Sequence, residues 1–172
     1  MDLTLVCPSR WHRLTRRATS TLGAVGASAL IAIGSFVPAL QQCAPPSPQQ
    51  QVVDIANQRR AERGLPALRV HSALSLAAQN HSVDQARMNR MSHTGSDGSD
   101  PGTRIARTGY RAWGWGENVG AGQPSASHVM SAWMNSPGHR DNILNGSFKE
   151  IGVGLAYSAG GTPYWTMVLA SQ

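Results

Sequence analysis

The chain has 172 residues, of which 15 are Lys or Arg and 9 are Asp or Glu, so its formal net charge is +6. Four of the basic residues and one acidic residue precede Ala44, which leaves eleven basic and eight acidic residues, a charge of +3, in the rest of the chain. The basic residues are dispersed and form no block of five or more, which argues against a nucleic-acid-binding arm. The length suits one domain of ordinary size.

Residues 1–39 have the pattern of a secretory signal peptide. Four arginines between Arg10 and Arg17 precede an apolar segment, Leu22 to Val37, of only 16 residues, whereas a membrane-spanning helix needs about 20. Small residues follow around Ala39, where we expect cleavage. The protein is then secreted, with no stable membrane span after processing; an uncleaved anchor is the alternative. Cys43 would be the one thiol left, so no disulfide could form within the mature chain.

Residues 40–51 are rich in Pro and Gln and predict an extended linker before a domain over residues 52–172. The segment VVDIANQRRAERG predicts a first helix that stops at Gly64. Its inward positions would be Val52, Val53, Ala56 and Arg60. The longest predicted helix covers Ser72 to Met91, with one face formed by Leu74, Ala77, Ala78, His81, Gln85 and Met88. On that face, His81 is expected to be a hydrogen-bonded core histidine rather than a ligand.

The middle of the chain predicts loops and short helices. The stretch SHTGSDGSDPGT is a long loop, followed by a short helix around Ile105. GYRAWGWGENVGAG is rich in glycine and tryptophan and is expected to be loop with a short strand at most. An amphipathic helix is predicted from Ser125 to Trp133, and a further helix begins at Pro137.

The C-terminal part predicts a hairpin. IGVGLAY alternates, with one face formed by Ile151, Val153, Leu155 and Tyr157 and the other by Gly152, Gly154 and Ala156. A face of Gly and Ala lets a packed helix approach closely. YWTMVLA is the returning strand. Helices first and an antiparallel hairpin last predict an α+β layered domain.

The stretch NSPGHRDNIL places a histidine in an unusual position. Ser136 suits the N-cap of a helix and Pro137 its first turn, so His139 falls where the helix dipole disfavours imidazolium. A neutral imidazole is what a metal ligand or a general base needs. The simpler interpretation is that His139 only hydrogen-bonds a neighbour, and this stretch alone leaves both open.

Six motifs then occur in order: NQRRAERGLPAL, LSLAAQNHS, SHTG, GENVGAG, AWMNSPGHRDNIL and EIGVGLAY. Together they resemble the bacterial branch of the CAP superfamily, also called the SCP or cysteine-rich secretory, antigen 5 and pathogenesis-related 1 family, over about residues 51–171. The resemblance implies an α-β-α sandwich with a central cleft lined by two histidines and two acidic residues. It assigns the first histidine to His93, the first glutamate to Glu117 and the second histidine to His139.

The fourth position of that set departs from the resemblance. Other members carry Glu three residues after the tryptophan of the preceding helix, and counting from Trp133 gives Ser136. Asp97 or Asp100, in the loop after His93, is the expected substitute. Glu150 is a further acid, but the strand that starts beside it is expected to direct it elsewhere.

Two imidazoles and one carboxylate form a legitimate set of zinc ligands with one position open. His93, Glu117 and His139 are thus the expected ligands of zinc or another divalent cation, although the same cluster could be a structural brace. A hydrolase also needs a general base, which the missing acid leaves without a candidate. We therefore expect a monomeric, secreted, non-catalytic module that binds a divalent metal or a small apolar or envelope-derived ligand. The alternative is a metal-dependent hydrolase of peptide or cell-wall material.

Overall fold

The computed structural model describes residues 44–172. The predicted signal peptide, Cys7 and Cys43 lie outside the described residues. Within them are five helices and four strands: α1 Pro48–Ala61, β1 Arg69–Val70, α2 Ser72–Met88, α3 Pro101–Arg107, β2 Gly114–Ala121, α4 Ala126–Asn135, α5 Pro137–Ile143, β3 Glu150–Tyr157 and β4 Pro163–Ser171. None of the helices of residues 44–172 is both long and apolar enough to cross a membrane.

The four strands form one mixed sheet in the order β1-β3-β4-β2. The predicted hairpin is present, since β3 pairs antiparallel with β4 from Glu150 opposite Ala170 to Tyr157 opposite Pro163. Strand β2 is antiparallel to β4 on its other side, and the two-residue β1 runs parallel to β3. Strand β2 is therefore an edge strand.

Helices cover both faces of the sheet. Helices α1, α4 and α5 pack on one face, where the larger apolar cluster includes Val52, Trp133, Ile143, Ile151 and Leu169. Helices α2 and α3 pack on the other face, with a smaller cluster of Leu74, Ala77, Ala78, Ile105, Tyr110, Val168 and Ala170. The predicted α-β-α sandwich is confirmed.

Helix α1 begins earlier than the sequence suggested. Pro48 lies in its first turn, and Ser47 is the N-cap, whose hydroxyl accepts from the backbone N–H of Gln50 at 3.1 Å. Residues 48–51 are thus helical and not an extended linker, because a Ser-Pro pair is a good helix start. The predicted inward residues are correct: the buried positions are Val52, Val53, Ala56 and Arg60.

The glycine- and tryptophan-rich segment was expected to be mostly loop, but it forms the eight-residue strand β2. Its glycines face the layer of α4 and α5. A Cβ on Gly116 would lie 2.9 Å from the Asn142 side chain and 3.1 Å from that of Phe148. Pairing along β4 overrides the low strand propensity of glycine, and a side chain at Gly116 would be too close to its neighbours.

The glycine face of β3 lies directly under α2. A Cβ on Gly152 would come within 2.1 Å of the backbone carbon of Leu74, and one on Gly154 within 2.4 Å of that of Ala78. The predicted close approach of a helix is confirmed. Helix α2 ends at Met88, three residues before the expected Met91, because Asn89 takes a left-handed conformation with φ of 49°.

Candidate functional site

Glu117 is the buried centre of the candidate site. It lies in β2, opposite Val168 of β4, on the sheet face covered by α2 and α3, and its side chain is 2% exposed. One carboxylate oxygen, Oε1, lies 2.8 Å from Nδ1 of His93. The other, Oε2, accepts a hydrogen bond of 2.7 Å from Nη2 of Arg104 in α3. Both oxygens of Glu117 are therefore engaged by protein side chains.

His93 lies in the loop after α2, yet three side chains hold the backbone of Ser92 and His93. The carbonyl of Ser92 lies 2.8 Å from Nε2 of His81, and the backbone N–H of Ser92 donates to Oε1 of Gln85 at 3.1 Å. Arg104 donates to the carbonyl of His93 at 2.9 Å. A loop residue is thus fixed by side chains of two helices, while its imidazole stays 54% exposed.

His139 approaches from the opposite sheet face, at the start of α5. Its carbonyl accepts a hydrogen bond of 3.0 Å from Nδ2 of Asn118, the neighbour of Glu117 in β2. Burial lowers the pKa of His139, and the nearby His93 lowers it further. The pair of histidines therefore lies on the two sides of one edge strand, and the lowered pKa favours the neutral form of His139. Burial, followed by His93, accounts for the neutrality that the sequence attributed to the helix dipole.

Ser136 lies where two helices meet. It is the C-cap residue of α4 and the N-cap residue of α5, but its side chain makes no capping hydrogen bond. Its backbone N–H donates to the carbonyl of Trp133 at the end of α4, and its carbonyl accepts the first helical hydrogen bond of α5, from the N–H of Arg140. The predicted N-cap position is therefore confirmed, but the hydroxyl of Ser136 does not cap the helix.

The acids expected to replace the missing glutamate are engaged elsewhere. Asp100 caps α3, accepting from the backbone N–H of Thr103. Asp97 accepts from the backbone N–H of Ser99 and from Arg107, and these bonds hold its pKa well below the usual range. Neither carboxylate is bonded to the histidines in this structure.

Glu150 points away from the site, as the sequence predicted. It accepts 2.6 Å from the hydroxyl of Tyr110, and it pairs with Arg69. Burial, with the bond to Glu150, raises the pKa of Tyr110 above its ordinary value. Glu150 therefore belongs to a contact between β3 and the segment before β2.

Arg104 is the site residue that the sequence did not reveal. Its guanidinium is buried and bonds Glu117, the carbonyl of His93 and the carbonyl of Ser99, the last at 2.7 Å. The only sequence signal is an arginine in a short helix, which resembles any surface arginine. His81 is a core histidine as predicted, although its Nδ1 has no hydrogen-bond partner among the described residues, and burial lowers its pKa.

The structure brings His93 and Glu117 together and places His139 near His93. Within residues 44–172, however, no group of three or more His, Cys, Asp or Glu side chains is arranged to hold a metal ion. The reason lies at Glu117, whose two carboxylate oxygens are already bonded to His93 and Arg104. Nε2 of His93 and the imidazole of His139 are the nitrogens left for a ligand.

The chain matches the family described as "Cysteine-rich secretory protein family", CAP, over residues 53–169. It belongs to the CAP family. An uncharacterized protein of Bacillus subtilis, YkwD, is 36% identical over 110 residues, which are 64% of this chain and 43% of that protein. An uncharacterized membrane protein of the same organism, YlbC, is 27% identical over 107 residues, 62% of this chain and 31% of that one. The chain thus spans less than half the length of these CAP relatives.

Solved structures agree with this CAP assignment. An extracellular protein with an SCP domain from Bacillus anthracis is 26% identical, with a TM-score of 0.68, over 76% of this chain and 45% of that chain. A cysteine-rich secretory protein from Staphylococcus aureus is 20% identical, with a TM-score of 0.61, over 78% of this chain and 41% of that one. The second similarity concerns the fold alone.

Proposed function

We propose that the protein is a secreted, non-catalytic binding module that holds a divalent cation, zinc foremost, between His93 and His139. The observation that carries this proposal is the bond from Nδ1 of His93 to Glu117. A histidine that binds a metal uses one ring nitrogen and bonds a carboxylate with the other, which fixes the ring. Glu117 is then the partner that orients His93, and not a third ligand.

The two imidazoles favour a metal ion that is borderline between hard and soft. Neutral imidazoles suit zinc, copper and nickel better than magnesium or calcium, and the lowered pKa keeps His139 neutral. Two protein ligands make a weak site, and we expect an affinity in the micromolar range or weaker. Water or a small envelope-derived ligand would complete the coordination.

Secretion is supported by one similar protein and by the sequence. The Bacillus anthracis protein is described as extracellular. Together with the signal-like segment of residues 1–39, this similarity supports a place outside the cell.

Calorimetric titration with zinc at pH 7.5 tests the proposal. The wild-type protein should bind zinc, whereas His93→Ala and His139→Ala should not. Glu117→Gln should weaken binding by about 10- to 100-fold, the usual effect of losing an orienting partner. His128→Ala is the matched control, because His128 is an exposed histidine bonded to Ser125 in α4. Absence of zinc heat in the wild type, or an equal loss in His128→Ala, would contradict the proposal.

The alternative of a metal-dependent hydrolase lacks a free carboxylate that could act as the general base. Such a base must be free to accept a proton, yet Glu117, Asp97, Asp100 and Glu150 are each held by a donor. Zinc-dependent cleavage of a peptide pool by the wild type, lost in His139→Ala, would reverse this choice.

A further inference from the structure

Two exposed tryptophans lead towards the candidate site. Trp113 is 67% exposed and Trp115 is 44% exposed, although indole rings are usually well buried. The other two described tryptophans, Trp133 and Trp165, are buried and donate their indole N–H groups to backbone carbonyls. Within residues 44–172, Trp113 and Trp115 make no such bond. Each of them exposes much of its side chain to solvent.

Trp115 is held in a defined position. A Cβ on Gly102 of α3 would lie 2.9 Å from Nε1 of Trp115 and 3.1 to 3.2 Å from two ring carbons. The indole therefore lies directly on the glycine of α3. It borders an open depression of about 560 Å³ whose lining also includes Ala106, Tyr110 and Arg111. A ring fixed in advance loses little entropy when a ligand stacks on it.

The tryptophans are continuous with the His93–Glu117 cluster. Trp115 and Glu117 are two residues apart in β2, so they share the sheet face covered by α2 and α3, roughly 7 Å apart along the strand. Trp113 precedes them, and its backbone N–H donates to the carbonyl of Ser171 at the start of the β2–β4 pairing. Trp113, Trp115 and the imidazole of His93 are thus exposed side chains, and the buried carboxylate of Glu117 lies between Trp115 and His93 in the order of contacts.

We propose that Trp113 and Trp115 form a binding surface for a saccharide chain that extends towards His93. A pyranose ring has an apolar C–H face, which stacks on an indole, and a rim of hydroxyls, which pairs with N–H donors. The indole N–H of Trp113 and the side chain of Arg111, an exposed residue that borders the depression, supply those donors. An apolar helix on this surface would bury the same donors without partners, at a cost.

Titration of the purified full chain with oligomers of beta-linked N-acetylglucosamine tests this surface, followed by tryptophan fluorescence and calorimetry. The hexamer should bind more tightly than the dimer, because it can contact both indoles. Trp113→Ala and Trp115→Ala should each weaken hexamer binding by about tenfold or more, whereas Trp115→Phe should retain most of it. Tyr157→Ala is the matched control, since Tyr157 is 61% exposed at the far end of β3.

Gly102→Ala tests the placement of the ring without removing it. The added methyl group should push the indole of Trp115 away from α3 and weaken hexamer binding, while the unfolding midpoint stays unchanged. Equal loss in Tyr157→Ala, no preference for the hexamer, or no binding at millimolar hexamer would overturn the proposal. So would binding to phosphatidylglycerol vesicles that depends on Trp113 and Trp115 in place of saccharide binding.

The saccharide surface does not depend on the metal proposal, and the same variants separate the two. Trp115→Ala should leave the zinc titration unchanged, and His139→Ala should leave hexamer binding within about twofold of the wild type, because the indoles and Arg111 are intact. Zinc binding without saccharide binding would overturn only the proposal of a saccharide-binding surface.

Discussion

Helix α2 makes two contacts that are held in different ways. Near its start it lies on Gly152 and Gly154 of β3, where the fit is one of shape and the backbones nearly touch. Near its end it holds the loop of His93 through hydrogen bonds from His81 and to Gln85. Arg104 of α3 joins this second contact by pairing with the buried carboxylate of Glu117 and donating to the carbonyl of His93. The first contact is sensitive to added side-chain volume, whereas the second is sensitive to the loss of a charge. The candidate site is built on the second.

The largest effect is expected at the charge-held contact. Arg104→Met would leave the carboxylate of Glu117, 2% exposed, without its cation, and should lower the free energy of unfolding by about 3–5 kcal/mol. Urea denaturation measures this loss. Adding Glu117→Leu should recover much of it, because a buried ion pair can be replaced by apolar groups more cheaply than it can be broken.

Arg107 supplies the matched control one turn along α3. It pairs with Asp97, and both side chains are at least half exposed. Arg107→Met should therefore leave the unfolding midpoint nearly unchanged, since exposed ion pairs contribute little. A midpoint shift equal to that of Arg104→Met would mean that burial does not distinguish the two pairs.

The next effect belongs to the shape-held contact. Gly154→Val would place a side chain where even a Cβ lies 2.4 Å from the backbone of Ala78, so α2 must move. We expect a loss of about 1–3 kcal/mol through overpacking, measured in the same denaturation experiment. Gly160→Ala in the hairpin turn is the control, because its Cβ would meet only Ser158, at 3.9 Å. An unchanged midpoint in Gly154→Val would show that this face is not tightly packed.

The sequence predicted these two contacts unequally. The alternation of β3 indicates a glycine face, and the spacing of α2 indicates the buried side, so their packing follows from periodicity alone. The charge-held contact has no such signal. Arg104 lies 13 positions before Glu117, in a different element, and only the folded chain brings the two together. The family resemblance identified Glu117, His93 and His139 because motif order carries information that local spacing lacks.

Strand β2 also shows a limit of prediction from local sequence, because here the local pattern predicted the wrong structure. Its sequence, rich in Gly, predicts a loop, because glycine is unfavourable in strands. Pairing with β4 over eight residues decides otherwise. Propensity describes a segment alone, and the edge position of β2 depends on partners about fifty residues away in the sequence.

Lowering the pH should weaken the charge-held contact, which contains His81, and leave the shape-held contact unaffected. Burial lowers the pKa of both His81 and His139 in the folded protein, so the unfolded chain binds protons more readily below about pH 6.5. The stability that these neutral imidazoles provide is present above that pH and is lost as the pH falls towards their lower folded-state pKa. Denaturation at pH 7.5 and 5.5 should show this loss of stability. The difference between the two pH values should be smaller in His81→Gln than in the wild type, and as large as in the wild type in Gly154→Val. Equal pH dependence in wild type and His81→Gln would exclude His81 as a source.

The smallest effect on stability is expected at His139, although it lies in the candidate site. Its imidazole is half-buried, and its bond to Asn118 uses the backbone carbonyl, which His139→Ala keeps. The metal-free variant should therefore unfold within about 0.5 kcal/mol of the wild type. Zinc at a hundredfold excess over its dissociation constant should stabilise the wild type by about 2.7 kcal/mol and leave His139→Ala unchanged. A loss of several kcal/mol in the metal-free variant, with no zinc effect in the wild type, would instead make the His93–Glu117–His139 cluster a structural brace. His139 would then belong with Arg104 to the contacts that hold the loop, and not to a site that binds a ligand.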